Sequence, residues 1–209
     1  MADSRDPDLA APERWEGLST ATVSDCMARF GAMRGVRRLS GGRLVGPAYP
    51  VQTMAGENST LHRAIQTAPA GSVLVVDAAA AEDRAVWGEV MTVAAIHGQL
   101  RGLVLDGVTR DLDAISGHNF PLFARGTCPA GPHKGWSGRL GTRISCGGVV
   151  VEADDVVIGD GDGVVVVPHG DAQAVLVAAR DRVRDEAEWM ARISAGEPST
   201  TVLGIALEE

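Results

Sequence analysis

Two adjacent charged residues, Arg110 and Asp111, have the types and position in this chain best suited to chemistry. They follow the apolar run Leu103–Leu105, which Gly102 and Gly107 flank, and such a run is typical of a buried parallel strand. Charged residues just past a parallel strand usually lie in a loop at the carboxyl edge of the sheet, where ligands bind. A guanidinium grips a carboxylate through two hydrogen bonds, and an aspartate offers a hard oxygen ligand to a divalent cation. The pair therefore predicts a site for a small metal-chelating acid.

A second candidate is the segment Gly88–Met91, at the start of a helix predicted over Trp87–His97. Backbone N–H groups at a helix N-terminus have no partner within the helix and lie at the positive end of its dipole, so they attract anions. Glu89 in this first turn also has a simpler explanation, because a carboxylate there stabilises the helix dipole. One helix and one returning strand separate Glu89 from Arg110, which would bring both to the same edge of the sheet.

The Arg110–Asp111 pair has an ordinary explanation as well, in which Asp111 caps the next helix and Arg110 is exposed. The neighbouring carboxylates fit local roles: Asp106 as a turn former, and Asp113 in the first turn of that helix. The residues alone leave both interpretations of the pair open.

The elements that must position these residues alternate between strands and helices. The pattern predicts a helix from Ser19 or Thr20 to near Gly31, a strand over 41–53 that Pro47 interrupts, a helix over 58–67 capped by Asn58 or Ser59, strands at 72–78 and 103–106, helices at 87–97 and 111–117, a strand at 121–126, two or three strands within 146–168, and a long helix from Asp171 to Gly196. Two strand–helix units in the middle, antiparallel hairpins on either side and a C-terminal helix predict one α/β domain over residues 18–209. Residues 1–17 are predicted to form a loose N-terminal arm that packs against a neighbour.

Other motifs have ordinary explanations. The sequence GDGDG at 159–163 lacks the downstream glutamate of a calcium loop and the following helix of a nucleotide-binding turn, so a tight hairpin is predicted. Cys128, Cys146 and His133 lack the spacing of a zinc site. His62 is predicted to pack against the core or to cap a helix rather than to act as a base.

The composition limits the class of protein. The 209 residues suit one domain of ordinary size, and no apolar run approaches the roughly 18 residues that indicate a membrane span. The N-terminus is polar and acidic, whereas a secretion signal is basic and then apolar. Three cysteines are too few for a disulfide framework. We therefore expect a soluble, cytoplasmic protein that does not contact a membrane.

Direct nucleic-acid binding is not expected. The formal net charge of −8 and the aromatic content of 4% leave few clustered cations and few platforms on which bases stack. The one basic cluster comprises Arg34, Arg37, Arg38 and Arg43. A solvated loop or a subunit contact explains this cluster more simply than polyanion binding does.

With these residues in view, the chain resembles the family that contains 4-hydroxy-4-methyl-2-oxoglutarate aldolase and the regulator of ribonuclease E activity A. The resemblance covers roughly Leu18 to Val167. It rests on the stretches STATVSDCM, GENSTLHRAI, GSVLVVDA and WGEVMTVAAIHGQLRGLVLDGVTRDLDAI. Gly-Val-x-Arg-Asp after a buried strand, preceded by Gly-Glu, is fairly specific for the family and much less specific for one activity within it.

The resemblance implies the swivelling β/β/α fold, an α/β fold with a central mixed sheet flanked by helices. It implies a homotrimer or homohexamer whose active sites lie at subunit interfaces. Arg110 would bind the pyruvyl part of the substrate, and Asp111 would hold Mg²⁺ or Mn²⁺ largely with water as the other ligands. Glu89 would help to hold a proton-shuttling water. Backbone contacts to the substrate are implied for Gly88, Glu89, Val90 and Met91.

The family also uses an acidic residue of a neighbouring subunit, for which Glu208 and Glu209 are the candidates in this sequence. The activity that the resemblance implies is metal-dependent cleavage of 4-hydroxy-4-methyl-2-oxoglutarate, or a related 4-hydroxy-2-oxo acid, to pyruvate. Oxaloacetate decarboxylation would accompany it, because both reactions pass through the enolate of pyruvate. Schiff-base chemistry is disfavoured, since the only lysine, Lys134, lies in a loop expected to be flexible. The alternative is a non-catalytic regulator that binds an RNA-processing enzyme.

Overall fold

An eight-stranded mixed sheet forms the centre of the protein, for which a computed structural model describes residues 7–206. The strands are β1 (Arg37–Ser40), β2 (Leu44–Gln52), β3 (Val73–Asp77), β4 (Gly102–Thr109), β5 (Leu122–Thr127), β6 (Arg139–Leu140), β7 (Ile144–Cys146), β8 (Val149–Val151), β9 (Val156–Gly159) and β10 (Val164–Val167). The order across the sheet is β1-β5-β4-β3-β2-β9-β10, with β6 paired to β2, and β7–β8 form a separate hairpin.

Helices cover this sheet. They are α1 (Thr20–Cys26), α2 (Ser59–Thr67), α3 (Glu89–His97), α4 (Leu112–Gly117), α5 (Ala172–Ser194) and α6 (Ser199–Val202), with 3-10 turns at Pro7–Ala10, Pro12–Trp15 and His169–Asp171. Among residues 7–206, none of these helices is long and apolar enough to cross a membrane.

The sheet curls into a half-barrel. Its two ends approach each other where Ala32, just before β1, forms an antiparallel bridge with Val165 of β10. The Met33 N–H donates to the Val164 carbonyl over 2.9 Å beside this bridge. The predicted α/β fold with a central mixed sheet flanked by helices is therefore confirmed.

The parallel strands at the centre of the sheet are apolar on both faces, as the run Leu103–Leu105 predicts. Every residue of β4 is buried, and Val73–Val76 of β3 are completely so. Leu74 and Val76 pack against α2 and α3, whereas Val73 and Val75 point into the half-barrel. β2, β3, β4 and β5 run parallel, so their carboxyl ends share one edge.

Two local predictions are wrong. Pro47 does not interrupt its strand, because β2 continues from Leu44 to Gln52, and Pro47 lies where pairing with β9 ends and a ladder donor is no longer needed. Asn58 makes no capping hydrogen bond to α2. The carboxylate of Glu57 binds the first N–H groups of that helix instead.

The predicted loose arm is also wrong for residues 7–16. Trp15 is completely buried, its indole N–H donates to the Leu9 carbonyl over 2.7 Å, and its ring packs in a cluster with Val175 and Leu176 of α5. Burial of an aromatic side chain of this size is a large contribution to the core, so this segment is an integral part of the fold. The rest of the arm, residues 1–6, and the candidates Glu208 and Glu209 lie outside the described residues.

The GDGDG sequence forms the predicted tight hairpin between β9 and β10. Its first aspartate, Asp160, accepts hydrogen bonds from the N–H (2.8 Å) and the hydroxyl (2.7 Å) of Thr20 at the start of α1. Burial alone would raise the pKa of Asp160, but these hydrogen bonds and the charge of Arg43 lower it overall. The hairpin thus stabilises a helix that is distant in sequence.

Candidate active site

The end of β4 meets the start of α3, as the sequence predicts. The Arg110 N–H donates to the Trp87 carbonyl over 3.0 Å, and the Thr109 hydroxyl donates to the same oxygen over 3.2 Å. Thr109 is completely buried, which fixes this junction. The first turn of α3 and the Arg110–Asp111 pair are therefore brought together at the carboxyl edge of the parallel strands.

The Asp111 side chain turns towards α3 rather than capping α4. Its Oδ2 accepts the Glu89 N–H over 3.2 Å and lies 3.4 Å from Nε of Arg110, and no side-chain cap to α4 forms. Asp111 also has a φ of +58°, a left-handed conformation that is uncommon outside glycine. Such strain concentrates at functional sites, where it costs roughly 1–3 kcal/mol. Asp111 thus occupies the N-cap position of α4 beside an exposed Arg110, as the ordinary interpretation predicts, but its side chain does not cap that helix.

Gly88 lies so close to this pair that a side chain has no room. A Cβ at this position would stand 2.6 Å from Oδ2 of Asp111 and 3.3 Å from Cγ of Arg110. The backbone of Gly88 is extended, so the reason for glycine is close approach and not an unusual φ. Glycine is required here for the carboxylate to reach the helix amides.

A cavity of about 370 Å³ opens beside the pair. That volume falls within the range in which small molecules are bound. Of the predicted site residues, it is lined by Gly88, Val90, Met91, Arg110 and Asp111. The remaining wall comes from α2, from the segment before α3 and from the loop after β5: Asn58, His62, Ala85, Val86, Trp87, Gly131, Pro132 and Lys134.

Three of these wall residues, Asn58, His62 and Lys134, have no role in the sequence-based prediction of the site. Asn58 is only 6% exposed; its amide Nδ2 contacts the sulfur of Met91 at 3.4 Å, while its Oδ1 has no hydrogen-bond partner within residues 7–206. A buried acceptor without a donor costs free energy unless a ligand or water supplies one.

His62 and Lys134 add basic groups. Burial lowers the pKa of His62, and the positive charge of Lys134 lowers it further, against a smaller opposing effect of Glu57. His62 is therefore neutral at pH 7, and Arg110 and Lys134 are the cationic residues of the wall. A cavity with two such side chains beside the N-terminus of a helix favours an anionic ligand.

The Glu89 side chain does not line this cavity. Its Oε1 lies 3.3 Å from Nε2 of His118, and the side chain faces a second depression that it shares with Arg110, Asp111 and Cys128. The Glu89 backbone N–H reaches the site, because it binds Asp111. Arg110 and Asp111 therefore border both the cavity and the depression that the Glu89 side chain faces.

A metal ion would find a single carboxylate here. Asp111 is the only acid among the described residues that line the cavity, and across residues 7–206 no three His, Cys, Asp or Glu side chains come together to hold a metal. Mg²⁺ tolerates such a site, because it keeps several waters and binds through one or two carboxylates plus groups of the substrate. The Asp111 side chain is 41% exposed, which leaves room for those further ligands.

The fold and this cavity define an α/β protein with a curled mixed sheet, in which an arginine, an aspartate and helix amides meet at the carboxyl edge. A family model described as RraA-like, Aldolase/RraA, matches residues 20–166. A protein of Halalkalibacterium halodurans named "Putative 4-hydroxy-4-methyl-2-oxoglutarate aldolase" is 38% identical over 144 residues, which cover 69% of either chain. This chain belongs to the RraA-like family.

Two solved structures agree with the fold along most of the chain. A crystal structure of a protein from Pseudomonas syringae pv. tomato is 29% identical, with a TM-score of 0.80 over 93% of this chain and 96% of that chain. RraAS2 of Streptomyces coelicolor, described as an unusual member of the RNase ES inhibitor RraA protein family, is 26% identical, with a TM-score of 0.80 over 90% of this chain and 98% of that chain. Both likenesses extend beyond the segment that the family model matches.

Proposed function

We propose that this protein is a divalent-metal-dependent lyase that releases pyruvate from 4-hydroxy-4-methyl-2-oxoglutarate or a related 4-hydroxy-2-oxo acid, with oxaloacetate decarboxylation as a side activity. The observation that carries the proposal is the convergence of Arg110, Asp111 and the first amides of α3 on one cavity. A relative named as an aldolase of this substrate supports the choice of reaction.

The two ends of such a substrate would meet different parts of the wall. The guanidinium of Arg110 would bind the 2-oxo acid carboxylate through two hydrogen bonds. Lys134 would neutralise the second carboxylate. The apolar side chains of Val90 and Met91 would pack against the carbon skeleton.

Carbon–carbon cleavage leaves an enolate whose negative charge must be stabilised. Mg²⁺ or Mn²⁺ held by Asp111 would act as a Lewis acid beside the 2-oxo oxygen. Arg110 and the N–H groups at the start of α3 would add donors that are already in place before the charge develops. Glu89, at the border of the site, would orient a water that takes the proton of the 4-hydroxyl group as the carbon–carbon bond breaks and delivers a proton to the enolate carbon, a role typically worth about 10² to 10⁴ in rate.

Lys134 makes imine chemistry the main competing mechanism. The sequence places it in a flexible loop, whereas the structure places it on the cavity wall. The two mechanisms are separated by borohydride treatment in the presence of pyruvate. The metal-dependent mechanism predicts no covalent adduct at Lys134, and a reduced adduct there would replace it with a Schiff-base mechanism.

The experiment that tests the function is direct. Purified protein is treated with a chelator, supplied with Mg²⁺ or Mn²⁺, and mixed with each 4-hydroxy-2-oxo acid or with oxaloacetate, while pyruvate is followed by a coupled dehydrogenase. We expect pyruvate release that depends on the added metal. The absence of metal-dependent pyruvate from every substrate would remove the lyase proposal.

The second candidate is a regulator that binds an RNA-processing enzyme through its surface. The observation in its favour is the likeness to RraAS2 over 90% of this chain. Co-purification with a ribonuclease that is unchanged by Arg110→Ala would favour this function, because the cavity would then have no part in it. Loss of pyruvate release with Arg110→Ala would favour the lyase.

We further propose a homotrimer or homohexamer in which the active sites lie at subunit interfaces. Helix α3 exposes a stripe of apolar side chains at helical spacing, Val90 (77% exposed), Val93 (49%) and Ile96 (42%), and Val90 also lines the cavity. A stripe of this kind is typical of a surface covered by another chain. Light scattering after size-exclusion chromatography tests this, and a monomeric mass would contradict it.

A further inference from the structure

Glu57 is a completely buried carboxylate at the start of α2, next to the cavity wall but not part of it. One oxygen, Oε1, accepts the Ser59 N–H over 2.7 Å and also the Ser59 hydroxyl. The other oxygen, Oε2, accepts the Thr53 hydroxyl over 2.8 Å and the Thr60 N–H over 3.3 Å. A buried charge is costly unless donors surround it, so these four hydrogen bonds define one orientation of the carboxylate.

The Ser59 hydroxyl connects this carboxylate to a second segment. While it donates to Glu57, its oxygen accepts the N–H of Gly135 over 3.0 Å. The backbone of His133 is tied to the same region, because its N–H donates to the Gly56 carbonyl over 2.7 Å and its carbonyl accepts the Asn58 N–H over 3.3 Å. Both neighbours of Lys134 in the chain are thus bonded to residues 56–59.

Each of the two bonded segments carries a polar residue of the cavity wall. Asn58 lies between Glu57 and Ser59, and Lys134 lies between His133 and Gly135. The loop around Lys134 has no regular secondary structure, so hydrogen bonds to other elements must determine its path. The bonds from residues 56–59 are the ones closest to Lys134.

We infer that Glu57 is a positioning residue that, through the Ser59 hydroxyl, holds the Lys134 loop against the cavity. The carboxylate fixes the rotamer of Ser59, and the Ser59 oxygen then receives the Gly135 N–H. The expected effect on KM rests on the proposed function. The expected effect on the position of the Lys134 loop does not.

The test uses Ser59→Ala, which removes the hydroxyl but keeps the Ser59 N–H that Glu57 accepts. Lys134 is the only lysine of the chain, so reductive methylation with ¹³C-formaldehyde gives a single dimethyl-lysine NMR signal besides that of the N-terminal amine. We expect this lysine signal to shift and to narrow in Ser59→Ala and in Glu57→Gln. The same lysine signal as in the wild type, in folded samples of both variants, would overturn the inference.

Two matched variants control for a general loss of a helix cap. Ser19→Ala removes the hydroxyl that accepts the Thr22 N–H over 3.0 Å at the start of α1, and Ser19 does not line the cavity. Ser19→Ala should leave the Lys134 signal unchanged. Ser59→Thr keeps a hydroxyl and should restore the wild-type signal.

Kinetics supply the functional half of the test. With a 4-hydroxy-2-oxo acid that carries a second carboxylate, Ser59→Ala should raise KM about tenfold, equivalent to roughly 1.4 kcal/mol, with kcat within about twofold. A substrate without that carboxylate should show no rise in KM. A shifted NMR signal with an unchanged KM would refute the functional role of the positioning. A wild-type protein without any pyruvate release would remove the proposed function, and the NMR result would still decide the structural inference.

Discussion

Replacement of Gly88 by alanine tests whether the position of the Asp111 carboxylate matters. The new Cβ would lie 2.6 Å from Oδ2 of Asp111, and ordinary contact begins at 3.4 Å, so the carboxylate must move by about 0.8 Å. That movement breaks its 3.2 Å hydrogen bond with the Glu89 N–H. A misplacement of about 1 Å in a catalytic group can cost about 10²-fold in rate. We therefore expect Gly88→Ala to lower kcat/KM for pyruvate release about 100-fold.

The same substitution should barely change stability. The three atoms nearest to the new Cβ belong to the half-exposed side chains of Arg110 and Asp111, and the extended backbone of Gly88 is open to alanine. Gly98→Ala, at the other end of α3, is the matched control, because its Cβ would meet atoms only at 3.4 Å or beyond. Pyruvate release and thermal unfolding are measured for both variants. Wild-type kcat/KM in Gly88→Ala would refute the reasoning that Asp111 must stay against the helix amides.

Three further substitutions test the site and the fold. Asp111→Ala should abolish metal-dependent turnover and weaken the Mn²⁺ binding that calorimetry measures, with little loss of melting temperature. Near-normal turnover in this variant would contradict the role of Asp111 as metal ligand. Arg110→Lys keeps the charge but loses the bidentate contact with a carboxylate. We expect kcat/KM to fall roughly 10- to 100-fold, which is the effect of losing one charge-assisted hydrogen bond. An unchanged kcat/KM would show that Arg110 has a structural role only. Asp160→Asn should cost about 1–2 kcal/mol of unfolding free energy at pH 7. Burial raises the pKa of Asp160, but the hydrogen bonds from Thr20 and from the Asp162 N–H, together with the charge of Arg43, lower it overall. The difference in unfolding free energy is therefore present above about pH 4 and shrinks as the pH falls through the folded pKa. Urea denaturation at pH 7 and pH 3 that gives equal differences would contradict this.

The sequence predicts the centre of the fold well, because local patterns determine it. The apolar run in β4 and the strand over Val73–Asp77 are both buried on two faces. Their unbroken apolar sequences differ from the alternation of apolar and polar residues that is typical of a strand buried on one face only. The meeting of Arg110 with the start of α3 follows from the geometry of parallel strands, whose carboxyl ends share an edge. The predicted break of the strand at Pro47 was wrong because this proline lies where pairing with β9 ends. At that position the sheet needs no backbone N–H donor, so the missing N–H of proline does not interrupt the strand.

The rest of the site could not be predicted, because it depends on contacts between distant segments. Lys134 reaches the cavity through bonds between its loop and residues 56–59, and nothing in the sequence of that loop indicates them. Asn58 was predicted to cap a helix, and only the structure shows that it is buried with an oxygen that has no hydrogen-bond partner within residues 7–206. A signal was present in one case: Glu57 precedes the helix by two residues, where an acid commonly binds the first N–H groups.

The packing of Trp15 against α5 has a consequence for biosynthesis. The family model matches residues 20–166, so the two elements in contact lie on either side of the matched segment. At a translation rate of roughly 5–20 residues per second, the time between the synthesis of Trp15 and that of Leu176 is on the order of 10–30 s. The half-barrel strands can pair during that interval, whereas the layer in which Trp15 packs against α5 closes only after Leu176 has been synthesised.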